Sequence, residues 1–250
     1  MTVKERFNRA ASTYTHHSEI QSITAQQLIQ QNTLTSPQHV LDIGSGTGIL
    51  TKKLAQIYPN SIIHAIDISE NMLQELTHFS AQNIHTKCID YLDYLPIKKF
   101  DLIVSNAVLH WMDTERAIKK ISAELTKTGE THLTIFGSKS SNELSELLPK
   151  INRKNDIISK TFKTKEEVIQ LGKESFSEWH VDTKIITISF NSLHELLKVQ
   201  QKTGVNYKQK NDGLWTSRQF DALTNAFLEA YGQIQLSYEV HFCKGKQNGE

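Results

Sequence analysis

Residues 40–48 read Val-Leu-Asp-Ile-Gly-Ser-Gly-Thr-Gly, an apolar strand that runs directly into three glycines. A second apolar stretch, Ser61 to Ile66, ends on Asp67, nineteen residues after the last of these glycines. A strand, a glycine turn, a helix start and an acid at the end of the next strand are typical of a nucleotide-binding βαβ unit. The glycines allow close approach of a ligand to the main chain, and Asp67 can accept hydrogen bonds from ribose hydroxyls.

The spacing of the glycines separates two classes of cofactor. A dinucleotide fingerprint has two residues between its second and third glycines, which seats a pyrophosphate on the helix N-terminus. Here only Thr47 stands between Gly46 and Gly48, and Asp42 lies two residues before Gly44. This pattern resembles motif I of class I S-adenosylmethionine (SAM) methyltransferases, whose ligand carries an amino acid and a sulfonium. The predicted SAM-binding residues of this region are Asp42, Gly44, Ser45, Gly46, Gly48 and Asp67.

Composition narrows the possible functions. The chain has 250 residues, which is long for a minimal α/β domain and leaves room for a lid or an insertion. A formal net charge of +1 gives no global argument for binding nucleic acid or membrane. Cys88 and Cys243 form no Cys-x-x-Cys pair, and no metal site is predicted. Without an apolar run that fits a signal peptide or a membrane span, we expect a cytoplasmic protein, and a monomer.

Alternating apolar patterns predict a Rossmann-like α/β fold with a doubly wound, mainly parallel seven-stranded sheet. The expected strands are 39–43, 62–66, 84–89, 100–105, 131–136, 181–190 and 234–243. The expected helices are 16–34, 49–57, one from Ser69, one over Ile118 to Leu125 that ends at Gly129, and then 164–171, 192–203 and 217–231. We divide the chain into an N-terminal helical lid, residues 1–35, and a methyltransferase domain, residues 36–250. Helices within about 192–231 are expected to project as an insertion before the last strand.

Ligands of such sheets bind beyond the carboxyl ends of the strands, where further candidates follow. Ile68, Asp90, Tyr91 and Asn106 are predicted to contact the cofactor. By resemblance to the methyltransferase pattern, Asp90 would bond the adenine amino group, and Tyr91 or Met72 would flank the ring. A loop cap is the alternative role for Asp90, and core packing is the alternative for Met72.

The segment after the fourth strand reads Asn-Ala-Val-Leu-His-Trp over residues 106–111, where the transferred methyl group should point. His110 is expected to line the substrate pocket rather than to act as a base, and Trp111 to form one wall of it. The alternatives are a structural histidine and a tryptophan in the core. The pair His16 and His17 lacks the spacing and companions of a metal site.

Three further segments carry a family resemblance. The opening, from Arg6 to Tyr14, reads Arg-Phe-Asn-Arg-Ala-Ala-Ser-Thr-Tyr, and residues 105–111 read Ser-Asn-Ala-Val-Leu-His-Trp. Residues 197–205 contain Leu-Lys and Thr-Gly-Val, and residues 236–240 read Leu-Ser-Tyr-Glu-Val. These segments resemble motifs of the malonyl-[acyl-carrier protein] O-methyltransferases of biotin synthesis, with His110 in place of the usual glutamine.

The resemblance implies methyl transfer from SAM to the free carboxylate of a malonyl thioester, an early step of biotin synthesis. A carboxylate with a reference pKa of ~4 is ionised at neutral pH, so the reaction needs no general base. Its attack on a sulfonium removes charge, and excluding water should therefore help. Phe7 and Tyr14 would close the lid over the substrate. We predict that the Tyr14 hydroxyl orients the carboxylate as the catalytic residue; packing on the sheet is its alternative role.

Basic residues cluster in the predicted insertion, with a single acid, Asp212, among them. They are Lys198, Lys202, Lys208, Lys210 and Arg218. Because acyl-carrier proteins are acidic, this cluster is the predicted docking surface, although a solvated helical face explains any single lysine equally well. The malonyl carrier is either a protein or coenzyme A, and we expect no nucleic-acid or membrane partner.

Other interpretations remain open from the sequence. A related SAM enzyme that methylates a small carboxylic acid or a quinone precursor would turn over without a carrier. A non-catalytic SAM-binding protein would bind the cofactor and turn over nothing. The glycine spacing disfavours an NAD-dependent dehydrogenase, and an RNA methyltransferase would need a basic aromatic platform or an Asn-Pro-Pro-Tyr-type motif.

Overall fold

One mixed sheet organises the protein, whose computed structural model describes residues 2–31, 33–79, 81–153, 157–203 and 216–247. The strands are β1 (His39–Ile43), β2 (Ile62–Asp67), β3 (Ile84–Cys88), β4 (Phe100–Asn106), β5 (Leu125–Phe136), β6 (Glu178–Phe190) and β7 (Ile234–Lys246). Their order is β3-β2-β1-β4-β5-β7-β6. Strands β1 to β5 pair in parallel, and β7 runs antiparallel to both β5 and β6. This arrangement confirms the predicted doubly wound fold.

Helices cover both faces of the sheet. They are α1 (Val3–His17), α2 (Glu19–Gln30), α3 (Thr51–Ile57), α4 (Glu70–Thr77), α5 (Thr114–Glu124), α6 (Asn142–Leu147), α7 (Lys165–Lys173), α8 (Leu193–Lys202) and α9 (Ser217–Tyr231). Capping boxes begin several of them: in α1, for example, the Thr2 side chain accepts a hydrogen bond from the Glu5 backbone, and the Glu5 side chain accepts one from the Thr2 backbone. These reciprocal bonds satisfy backbone N–H groups that a helix start would otherwise leave unpaired.

The central strand shows why the sheet is apolar on both faces. Leu102 and Val104 of β4 are buried in one hydrophobic cluster, together with residues of α2, α3, α8 and α9. Ile103 points the other way into a second cluster, which contains residues of α5 and α7. Successive side chains of a strand alternate between faces, so a strand covered on both sides must be apolar throughout.

The structure corrects several element boundaries. The single helix expected over 16–34 is two helices, because the backbone leaves the helical conformation at Ser18 and α1 begins already at Val3. The helix expected to end at Gly129 ends at Glu124, and Leu125 begins β5 by pairing with Phe100. Helix α6 was not expected.

The two helices between the last strands also differ from expectation. Helices α8 and α9 do not project from the sheet, because Leu196 of α8 and Phe227 of α9 are fully buried in the cluster that contains β4. They therefore cover one face of the β7 side of the sheet. The division into a lid and a methyltransferase domain remains a prediction. No helix among the described residues is long and apolar enough to cross a membrane.

Candidate active site

A cavity of about 410 Å³ lies at the carboxyl ends of the parallel strands, beneath α1. This volume is within the range of small-molecule sites, roughly 300–1,000 Å³. The predicted site residues that line it are Phe7, Tyr14, Asp42, Gly44, Ser45, Gly46, Asp67, Ile68, Met72, Asp90, Tyr91, Asn106 and Trp111. The topology thus brings together nearly all of the residues predicted to bind the cofactor or the substrate.

The glycine loop after β1 folds back onto β2. The backbone N–H groups of Gly44 and Ser45 donate to the Ile66 carbonyl at 2.8 and 3.0 Å. Gly46 has a φ of 54°, and a Cβ added there would meet no protein atom within 4 Å. The side of Gly46 that a side chain would occupy is therefore open to the cavity, as a ligand held against the main chain requires.

Asp67 connects the glycine loop to the helix that follows β2. Its Oδ2 accepts the Gly46 N–H at 2.9 Å, and its Oδ1 accepts the Ser69 N–H at 2.8 Å. Burial raises the pKa of this carboxyl, and the backbone hydrogen bonds oppose the increase. A carboxylate has about four acceptor positions, so Asp67 retains capacity for a ribose hydroxyl.

Asp42 lies deeper in the cavity wall, with 1% of its surface exposed. Its Oδ2 accepts the Thr51 hydroxyl at 2.6 Å. Burial raises the pKa of Asp42 to about 7, although the Thr51 bond lowers it and the charge of Asp67 adds to the increase. The carboxyl is consequently near half-ionised at neutral pH, and a cation in the cavity would favour its ionised form.

The residues predicted to contact the adenine line the cavity and also make contacts that stabilise the fold. Asp90 lines the cavity, and its Oδ1 also caps the following turn by accepting the Leu92 N–H at 2.9 Å. Tyr91 lines the cavity as well, and it donates its hydroxyl to Glu124 at 3.0 Å. Met72 is buried against Ala10 and Ala11 of α1, and it lines the cavity as well.

Two buried polar side chains in the cavity wall lack hydrogen-bond partners among the described residues. They are Gln21, through Oε1, and Ser45, through Oγ. Gln21 was not selected from the sequence. Its backbone carbonyl accepts the Asn106 Nδ2–H at 2.9 Å, while Asn106 Oδ1 accepts the Thr134 hydroxyl at 2.8 Å. Asn106 thereby fixes α2 over the ends of β4 and β5.

Helix α1 is hydrogen-bonded over the cavity at both flanks. Thr15 and Thr47 share a hydrogen bond of 2.8 Å between their hydroxyls, and Ser69 donates to Asn8 Oδ1 at 2.6 Å. The Phe7 ring meets the Trp111 ring edge-on, with centroids 6.0 Å apart. These contacts hold α1 over the cavity.

Tyr14 lies on the cavity side of α1. Its ring lies 6.3 Å from that of Phe7, and its hydroxyl has no hydrogen-bond partner among the described residues. Burial, and then the charge of Asp67, raises the pKa of Tyr14. The phenol is therefore neutral at physiological pH and can donate a hydrogen bond to a ligand.

Two expected site residues do not reach the cavity. His110 packs between Phe136 and Phe162, with ring centroids 4.8 and 4.6 Å away, and its Nδ1 accepts the Phe136 N–H at 3.4 Å. Burial lowers the pKa of His110 to about 3, so the ring is neutral behind Trp111. Gly48 turns its Cα toward Leu76, where an added Cβ would overlap the leucine side chain.

The predicted docking residues are only partly described. Lys198 and Lys202 lie on α8, and Arg218 lies in the first turn of α9, whereas Lys208 and Lys210 fall outside the described residues. Burial lowers the pKa of His17, and the charges of Lys198 and Lys202 lower it further. These two lysines therefore lie near the end of α1. The described ranges contain no group of three or more side chains that could hold a metal ion.

The chain is similar to known methyltransferases. A family described as "Methyltransferase domain" matches residues 41–130. Malonyl-[acyl-carrier protein] O-methyltransferase 1 of Ilyobacter polytropus is 28% identical over 92% of this chain and 87% of that protein. The Bacillus cereus malonyl-[acyl-carrier protein] O-methyltransferase is 25% identical over 92% of this chain and 88% of that protein.

Solved structures show the same fold. The YcgJ protein of Bacillus subtilis superposes with a TM-score of 0.63 at 14% identity, over 91% of this chain and 98% of that chain. Haemonchus contortus phosphoethanolamine N-methyltransferase 2, solved with S-adenosylhomocysteine, gives a TM-score of 0.62 at 17% identity, over 99% of this chain and 61% of that chain. The open Gly46, the Asp67 carboxylate and the unpaired polar groups of the cavity fit the SAM-dependent methyltransferase activity that the family match over residues 41–130 indicates.

Proposed function

We propose that the protein methylates the free carboxylate of a malonyl thioester carried by an acyl-carrier protein, an early step toward the pimeloyl chain of biotin. The observation that carries this proposal is the similarity, over about nine-tenths of the chain, to proteins named for that activity. The opening motif, whose Phe7 and Tyr14 both line the cavity, supports it.

The residues of the cavity suit an attack that needs no base. SAM, when bound, supplies an electrophilic methyl group on a positively charged sulfonium. The malonyl carboxylate is ionised before it enters, and the neutral His110 lies outside the cavity wall. The chain therefore has to hold the carboxylate in line and exclude water rather than remove a proton.

Individual roles follow from placement. We assign the glycine loop to the methionyl end of the cofactor, Asp67 to the ribose, and Asp90 to the adenine amino group. Tyr14 donates its hydroxyl to the substrate carboxylate, and Phe7 and Trp111 form the wall that keeps water out. His110 supports Trp111 from behind, with ring centroids 5.1 Å apart.

The first experiment offers labelled SAM with malonyl-acyl-carrier protein, malonyl-coenzyme A or free malonate. We expect a methyl ester on the carrier-bound substrate. Equal turnover of free malonate would favour a small-acid methyltransferase. Binding of SAM without turnover of any acid would favour a non-catalytic SAM-binding protein.

The docking surface is tested with the double variant Lys198→Glu and Lys202→Glu. Rim charges act mainly on association, so kcat/KM for the carrier-bound substrate should fall by roughly an order of magnitude at low salt and become less sensitive to salt. Lys173→Glu, an exposed substitution on α7, is the matched control. Equal losses in both variants would contradict a docking surface on α8.

A further inference from the structure

A second cavity, of about 120 Å³, adjoins the site between the α1–α2 junction, the ends of β6 and β7, and α8. Its wall includes His17, Ile20, Ile188, Val199 and Tyr238. Its volume is below the range of pockets that enclose a whole small molecule, roughly 300–1,000 Å³. The space is therefore better suited to part of a ligand than to a separate one.

Gln21 lies at the junction of this cavity with the cofactor cavity, because it lines both. Its side chain is 4% exposed, and its Oε1 has no hydrogen-bond partner among the described residues. The hydrogen bond from Asn106 to its backbone carbonyl fixes its position. A buried amide oxygen without a donor favours a ligand that brings an N–H group to this point.

Charge at the outer end of the second cavity indicates the kind of ligand. His17 lines the cavity, and the charges of Lys198 and Lys202 on α8 lower the pKa of His17, which places these lysines near it. Glu19 and Glu195 also line the cavity. An anionic group of a ligand would therefore lie on the side nearer to Lys198 and Lys202. An arm with an outer phosphate, internal amide N–H groups and an inner thioester matches this order of groups.

Resting on the proposed function, we propose that the second cavity admits the phosphopantetheine arm of the carrier-bound malonyl thioester, and that Gln21 accepts a hydrogen bond from an amide N–H of that arm. The arm passes between α8 and β6 and carries the malonyl carboxylate to the lid side of the cofactor cavity. The carrier itself then docks outside, on α8.

Two substitutions from opposite walls would obstruct the passage. Val199→Trp fills it from α8, and Ser189→Trp fills it from β6 at an exposed position that should preserve folding. Gln201→Trp introduces the same side chain at an exposed position of α8 that does not line the cavity, and it is the control. Thermal unfolding checks that each variant is folded.

The readouts are turnover, binding of S-adenosylhomocysteine, and calorimetric binding of the pantetheine-bearing carrier in its presence. We expect Val199→Trp and Ser189→Trp to lower kcat/KM and carrier affinity at least tenfold, with S-adenosylhomocysteine affinity unchanged and Gln201→Trp close to wild type. Malonyl-coenzyme A, if turned over, should lose as much, since it brings the same arm.

Two results would overturn the inference. Both obstructing variants could match Gln201→Trp on the carrier-bound substrate, or both could weaken S-adenosylhomocysteine as much as the carrier, which would assign this space to the cofactor. Gln21→Leu should raise KM for the arm without changing S-adenosylhomocysteine affinity, and the opposite pattern would assign Gln21 to the cofactor. A wild type inactive on malonyl-carrier would instead refute the proposed function itself, and the passage with it.

Discussion

The buried carboxyl of Asp42 makes the stability of the free protein and its affinity for SAM depend on pH in opposite directions. Burial raises its pKa from 3.8 to about 7, a difference of roughly three pKa units. Since one unit corresponds to about 1.4 kcal/mol, ionising this group costs the folded state about 4 kcal/mol. A carboxyl whose pKa is higher in the folded state than in the unfolded state contributes its full stabilisation of the fold below the unfolded-state pKa. This stabilisation is lost as the pH rises through the folded-state pKa of about 7.

Asp42→Asn removes this titration while retaining an oxygen for the Thr51 hydroxyl. Between pH 5.5 and pH 8.5 the wild type should lose about 2 kcal/mol of unfolding free energy relative to the variant, which is the part of the cost that falls in this window. Urea unfolding of both proteins without cofactor, at both pH values, measures the difference directly. Parallel pH profiles would refute the assignment of the titration to Asp42.

Cofactor binding should respond in the opposite direction. A cation in the cavity favours the ionised carboxylate, so binding SAM releases the proton of Asp42 below its pKa. The SAM affinity of the wild type should therefore rise with pH, by up to tenfold per unit, and level off above about pH 7. Asp42→Asn should bind weakly and without this dependence. Calorimetric titration with SAM at pH 6 and pH 8 tests this prediction. An equal pH dependence of SAM affinity in the variant would exclude the coupling between SAM binding and ionisation of Asp42.

Two further predictions concern the loop and the lid. Gly46→Ala and Gly232→Ala both place a Cβ at positive φ with no protein atom within 4 Å, so each should cost about 1–2 kcal/mol of stability. Only Gly46→Ala should lose SAM affinity by calorimetry, and equal affinities would contradict a ligand at Gly46. Tyr14→Phe should lower the rate of methyl transfer roughly ten- to a hundredfold, the effect of about 1.5–3 kcal/mol from a hydrogen bond to a charged group. Wild-type turnover by Tyr14→Phe, with unchanged SAM binding, would leave Tyr14 a packing role only.

The features that could be predicted from the sequence are those fixed by local order along the chain. The glycine loop and Asp67 lie at the ends of consecutive parallel strands, and the βαβ connection places such ends side by side. This part of the site therefore followed from the positions of the strand ends, whereas Phe7 and Tyr14 followed from the resemblance of the opening motif. The start of α1 at Val3 was not predicted, although Thr2 and Glu5 have the spacing of a capping box.

The predictions from the sequence were wrong or incomplete where packing between segments distant in the sequence determines the structure. The ring of His110 faces away from the cavity because Phe136 of β5 and Phe162 enclose it, and neither is near it in sequence. Gln21 follows Ile20 in α2, and its place in the cavity wall depends on the packing of α2 over the end of β4, where Asn106 donates to its backbone carbonyl. The start of β5 at Leu125 depends on pairing with Phe100, which overrides the apolar helical spacing up to that point.

Ser69 shows how the cofactor site and the lid are joined. Its backbone N–H donates to Asp67, its hydroxyl accepts the Met72 N–H at 3.2 Å, and the same hydroxyl donates to Asn8 of the lid. The carboxylate assigned to the ribose and the helix that closes the cavity therefore share one residue. In a reaction that joins an anion to a cation, water would stabilise the separated charges more than the transition state, so a closed lid raises the rate. A ligand bound by Asp67 would therefore contact a carboxylate that is joined through Ser69 to the helix covering the cavity.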